Sequence, residues 1–194
     1  LEKEAREEAK KGKKELVEYM FNEKLILPLK EFVDELNSHL IDDKISFNES
    51  SLQINIGFSN GKYVSISCSV IYEEYFYRER YYEWLGQRKS KSELRMPKLR
   101  NENIIAWGII KASSKKGYNL LLIEKSDDPY GNWILLTNTN NALSTRNRTP
   151  EPFYFDYREL EGELPHINAL HIYDMKDEPL NLDKIYNLIK EEII

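Results

Sequence analysis

Cysteine is almost missing from this chain: Cys68 is the single one in 194 residues. One thiol excludes an internal disulfide framework and fits a reducing compartment, so a cytoplasmic location is expected. Glycine is scarce as well, with eight in all, and none falls into G-x-G-x-x-G or G-x-x-x-x-G-K-[ST]. That argues against a phosphate-cradling loop and the nucleotide chemistry that depends on it. No apolar run approaches the ~20 residues of a membrane helix, and no membrane role is expected. Nor is there an excess of basic charge. The 28 Lys and Arg stand against 33 Asp and Glu, a net charge of −5. No overall positive field draws the molecule to nucleic acid, so any such contact must be local.

What is present is the composition of a folded domain. Aromatics make up 12% and charged residues 31%, enough to fill one core and solvate its surface without disulfide support. The chain divides into a charged helical arm at 1–24 and a single α+β domain at 25–194. The arm opens Leu1-Glu2-Lys3-Glu4 without Met, which reads as the end of something longer. It holds seven basic and seven acidic side chains. Ala5, Ala9, Gly12, Leu16 and Tyr19 recur at the 4-3-4-3 spacing of a coiled-coil seam. Because Ala and Gly bury little, the arm is expected to be a solvated helix that packs from Leu16 onward, with a homodimer or an upstream segment as its partner.

Pro28 is expected to interrupt this helix and open a second one. Leu29, Phe32, Val33, Leu36 and Leu40 give residues 28–41 a core-facing stripe. Alternation at Leu52, Ile54, Ile56 and Phe58, and again at Val64, Ile66, Cys68 and Val70, predicts a hairpin. Asn60-Gly61 is expected to turn it as a two-residue type I′ loop, with positive φ at both positions. Residues 74–85 satisfy both helix and strand patterns; the face formed by Tyr77, Tyr81, Trp84 and Leu85 favours a helix stopped by Gly86. A polar connector at 87–101 precedes three meandering strands, with those carrying Trp107 and Trp133 flanking the Leu120–Ile123 strand. Further strands are expected at 153–157 and 168–173, then a helix capped by Asn181. The predicted architecture is a largely antiparallel sheet of about six strands flanked by helices.

The strongest local signal for function is the connector. Arg88, Lys89, Lys91, Arg95, Lys98 and Arg100 face only Glu93, a local charge of +5 beside Tyr81, Tyr82 and Trp84. Cations that meet phosphates next to rings that stack bases can form a nucleic-acid surface, and an acidic protein would use the same loop. Arg146 and Arg148, in the polar loop 138–152, can grip phosphate or carboxylate. His166, His171 and Asp174 are weak catalytic candidates, without the spacing of a metal pair. Glu124-Lys125 lacks the spacer that would put both side chains of a metal-dependent nuclease on one strand face. Cys68, on an inward strand face, reads as an inert core thiol. No cofactor or metal is implied. The expected function is a non-catalytic binding or regulatory module that recognises a protein or nucleic acid through 75–100 and 138–152. A nuclease-like enzyme and a small-ligand sensor are the alternatives.

Overall fold

Pro28 shapes the N-terminal fifth of the molecule, though it breaks nothing. The computed structural model describes residues 2–72, 76–79, 98–124, 132–138 and 175–193. Helix α1 runs Glu2–Phe21, a π-helical turn spans Asn22–Ile26, and α2 follows at Leu27–His39. Proline has no N–H to donate, and its ring collides with the carbonyl four residues back. The chain absorbs this by widening: the Leu27 N–H donates to Asn22 O, five residues back. The expected interruption is therefore a π turn inside one helical path. Val17, Phe21, Leu25, Leu29 and Val33, all fully buried, recur every four residues. In a pure α-helix such a row drifts by roughly 40° per step; the wider turn recovers part of that drift. At the far end, Lys44 Nζ reaches Asn37 O at 2.7 Å and Leu40 O at 2.8 Å, a cation on the carbonyls at the end of the helix. The Asn37 amide also ties the loop to α2, since its Oδ1 accepts from the Ile45 N–H at 2.7 Å and its Nδ2 donates to Ile45 O at 2.9 Å.

One antiparallel sheet carries the rest. Its strands are β1 (Ser46–Ser50), β2 (Gln53–Gly57), β3 (Tyr63–Val70), β4 (Phe76–Glu79), β5 (Lys98–Ala112), β6 (Gly117–Glu124), β7 (Asn132–Asn138) and β8 (Met175–Pro179). The order is β1-β2-β3-β5-β6-β7-β8, with β4 also paired to β5. The class is α+β, as the sequence predicts, and β6 does lie between the two tryptophan strands. Three expectations need correction. Phe76–Glu79 is a strand, so a helix does not begin near Glu74. Residues 98–101 of the expected polar connector belong to β5, which is fifteen residues long. The β2–β3 loop is not type I′, because Gly61 has φ 80° and Asn60 does not share its positive sign. The Gly61 N–H donates to Phe58 O, and the Phe58 N–H to Lys62 O, both at 3.0 Å. That pattern is a three-residue loop with glycine in the left-handed position. Hairpin β5–β6 repeats it: the Lys115 N–H donates to Ala112 O and the Ala112 N–H to Lys116 O. There the left-handed residue is Lys115, at φ 65°, which costs about 1 kcal/mol relative to glycine.

Helices cover one sheet face. Ile54, Ile56, Val64, Ile66, Cys68, Ile110, Leu120, Leu122 and Leu135 form a single cluster with Phe21, Leu25, Leu29, Val33, Ile185 and Ile189. Ile105 is an extra residue in β5, since Ile104 pairs with Ile123 and Ala106 with Leu122. This bulge lets Ile105 and Ala106 both join the helix-side cluster. Strand β6 is buried on both faces up to Glu124, whereas Gln53 and Asn55 of β2 are exposed opposite their buried neighbours.

Helix α3 (Leu182–Ile193) closes the core, and Asn181 caps it as expected. Asn181 Oδ1 accepts from the Asp183 N–H at 3.0 Å. Tyr186 stacks on Phe32 of α2 with ring centres 4.1 Å apart. The other end of α3 is fastened to both hairpin loops. Asn60 Nδ2 donates to Glu192 O at 2.9 Å, the Ser114 N–H donates to Glu192 Oε1 at 2.9 Å, and Lys116 pairs with Glu191 at 3.0 Å. Glu192 is buried at 2% exposure, so its bond to Ser114 replaces water that the carboxylate has lost.

Candidate interaction surfaces

The N-terminal half of α1 stands clear of the sheet. From Lys3 to Glu15 every residue is exposed except Lys10 and Lys13, which are half-buried, and burial begins at Leu16 and Val17. At 3.6 residues per turn the side chains fall into four lengthwise bands, one of them the mixed face of Glu7, Lys11 and Lys14. Lys3, Arg6, Lys10 and Lys13 form a basic band in line with the buried stripe. Glu4, Glu8 and Glu15 lie in an acidic band on the other side. Between them run Ala5, Ala9, Gly12, Leu16 and Tyr19. Tyr19, at the end of that seam, is 53% exposed. Three ion pairs brace the helix: Lys10 with Glu7, Lys11 with Glu15, and Lys14 with Glu18, at 3.5 to 3.8 Å. All are exposed or nearly so, and each contributes a few tenths of a kcal/mol. Sequence spacing alone had shown the seam; the charge sorting beside it emerges once the side chains are projected around the helix.

The basic segment is described only at its end. Lys98 stands opposite Glu79, and Leu99 opposite Arg78, in the β4–β5 register. Lys98 and Arg100 thus sit on the outer part of β5, past the stretch from Ala106 to Ala112 that pairs with β3. Tyr81, Tyr82, Trp84, Arg88, Lys89, Lys91 and Arg95 lie outside the described residues, as do Arg146, Arg148, His166, His171 and Asp174. The expected strands at 153–157 and 168–173 lie outside them too.

Chemistry inside the described core is limited. Cys68 is buried, and burial pushes its thiol pKa up, the opposite of what a thiolate nucleophile needs. Burial, then Glu191, raises Tyr118; burial, then Asp183 and Glu31, raises Tyr186. Both phenols stay protonated at neutral pH. Gly57-Phe58-Ser59-Asn60-Gly61 matches the G-x-S-x-G spacing of serine hydrolases. That motif needs a strand–turn–helix to lift its serine, whereas here it joins two strands, and Asn60 is engaged by Glu192 O. Trp133 Nε1 is the one buried side-chain polar atom without a hydrogen-bond partner among the described residues; its ring meets Phe21 edge-on at 6.3 Å. Among the described residues no His, Cys, Asp and Glu gather in a group able to hold a metal ion. No described helix is long and apolar enough to cross a membrane.

No protein-family model matches the chain, and neither does any curated protein or solved structure.

Proposed function

We propose that this chain is a binding module whose partner engages the free half of α1, with the basic start of β5 as a second contact. The observation that carries this reading is the exposed helix. A segment from Lys3 to Glu15 keeps helical form while giving almost nothing to the core. Isolated helices of this length are marginal in water, so a surface able to cover one side of it would gain a prepaid conformation. Lys98 and Arg100, with Arg88, Lys89, Lys91 and Arg95 before them and Arg146 and Arg148 on the later loop, supply the local positive charge that an anionic partner would meet.

Nucleic acid is the first anionic partner to try. Labelled single-stranded and duplex DNA and RNA are titrated at two salt concentrations against the native chain. A second titration uses a variant with Glu at Arg88, Lys89, Lys91, Arg95, Lys98 and Arg100. Six phosphate contacts weaken binding by about 10³-fold between 50 and 200 mM salt, and the still-folded variant should lose that binding altogether. A partner footprint, mapped by cross-linking, that avoids α1, residues 75–100 and residues 138–152 would overturn the surface assignment.

A further inference from the structure

We infer that the occupant of the free face of α1 is a second copy of this chain, docked in parallel along Ala5, Ala9, Gly12, Leu16 and Tyr19. The inference rests on the binding-module reading and names its partner. Three independent features carry it.

The first is position. The seam lies roughly a third of a turn around the helix from Val17 and nearly half a turn from Phe21, two of the residues that hold α1 to the sheet. Leu16 also packs against the core, so a second helix meets the seam chiefly at Ala5, Ala9 and Gly12, which are exposed. The second is Gly12. Glycine in a helix interior costs about 1 kcal/mol relative to alanine, and nothing among the described residues demands it: a Cβ at Gly12 would have nothing within 4 Å. Close passage of another helix does demand it. Small side chains at successive seam positions let two helix axes approach to about 8 Å.

The third is charge. With Ala9 and Leu16 at one set of seam positions and Ala5, Gly12 and Tyr19 at the other, Arg6 and Lys13 flank the seam on one side, and Glu8 and Glu15 on the other. Parallel pairing sets Glu8 of one copy beside Lys13 of the next, twice by symmetry. Antiparallel pairing sets acid beside acid and base beside base. Arg6, Glu8 and Lys13 make no ion pair within the described residues, whereas Lys10, Lys11 and Lys14 each make one. Of the charges left over, Glu8 and Lys13 are the two a parallel partner would pair. Two alanines and a glycine bury little area, so the dimer is weak and concentration-dependent.

Cross-linking reads both contact and direction, because the native Cys68 is buried and stays silent. Single cysteines are placed by Ala5→Cys, Gly12→Cys and, on the opposite face, Glu7→Cys, and each protein is exposed to a mild oxidant. The expected result is disulfide dimer at Ala5→Cys and Gly12→Cys, several-fold faster than at Glu7→Cys. Fast cross-linking at Gly12→Cys with none at Ala5→Cys means antiparallel pairing and overturns the inference. Equal rates at all three sites mean random collision and overturn it too. A second arm uses charge: Glu8→Lys with Glu15→Lys, and separately Arg6→Glu with Lys13→Glu, should each abolish the dimer seen by sedimentation, and mixing the two variants should restore it. Nucleic-acid binding through residues 88–100 that persists without any self-pairing would sink the parallel dimer and leave the module reading standing.

Discussion

Replacing Phe21 by alanine should lower the stability of this protein by about 3–5 kcal/mol, the usual cost of deleting a buried aromatic ring. Phe21 is fully buried and sits edge-on to Trp133, with planes 65° apart. It is the last residue of α1 before the π turn, so the same ring docks the helix on β7 and fixes where the free arm leaves the sheet. Phe21→Leu keeps most of the volume and should cost no more than about 1.5 kcal/mol. Urea unfolding checks both: the midpoint should fall while the slope stays constant, because the surface exposed on unfolding is nearly the same. A loss below about 1 kcal/mol for Phe21→Ala would mean that α1 is not anchored at this contact.

Gly108→Ala should cost about 2–3 kcal/mol although it adds a single carbon. Gly108 lies in the middle of β5, between Cys68 on β3 and Leu120 on β6. An added Cβ would fall on Cys68 Sγ, 2.8 Å from the carbonyl oxygen of Ser67 and 3.3 Å from Leu120 Cβ. The sulfur can turn away; the Ser67 carbonyl, held within β3, can move only with the sheet. Calorimetry should show the melting temperature lower by roughly 5–10 °C, given 2–4 °C per kcal/mol at this chain length. In a Cys68→Ala background the sulfur is gone, and the same change should cost about 1 kcal/mol less. Unchanged cost in that background would put the whole conflict on Ser67 O.

The residues that were legible in the sequence are those with one wet and one dry face. Ile54 and Ile56 alternate with exposed Gln53 and Asn55, and the pairing with Val64 and Ile66 follows from that alternation. The stripe of α3 was readable for the same reason, including its cap at Asn181. Strand β1 was not: Ser46, Asn48, Glu49 and Ser50 are all exposed, and an edge strand wet on both faces leaves no period to read. Strand β8, with Met-Lys-Asp-Glu-Pro as its whole sequence, has no apolar alternation to read. Residues 74–85 carry aromatics at spacings that serve either structure, and pairing with β5 decides in favour of a strand at Phe76–Glu79. The π turn is not legible in the sequence because Asn22–Ile26 has no signal of its own; Pro28 and the four-residue repeat of the buried row define it only together. In the arm, the seam was visible as spacing, while the exposure of Gly12 and the unpaired charges beside it needed the fold.

The measurement that bears most directly on the central claim is removal of residues 1–14, followed by thermal unfolding and sedimentation over a range of protein concentrations. If the free half of α1 serves a partner and not the core, the shortened chain keeps its melting temperature within a few degrees and loses its concentration-dependent association. A large fall in melting temperature, or association undiminished without the arm, would contradict the account.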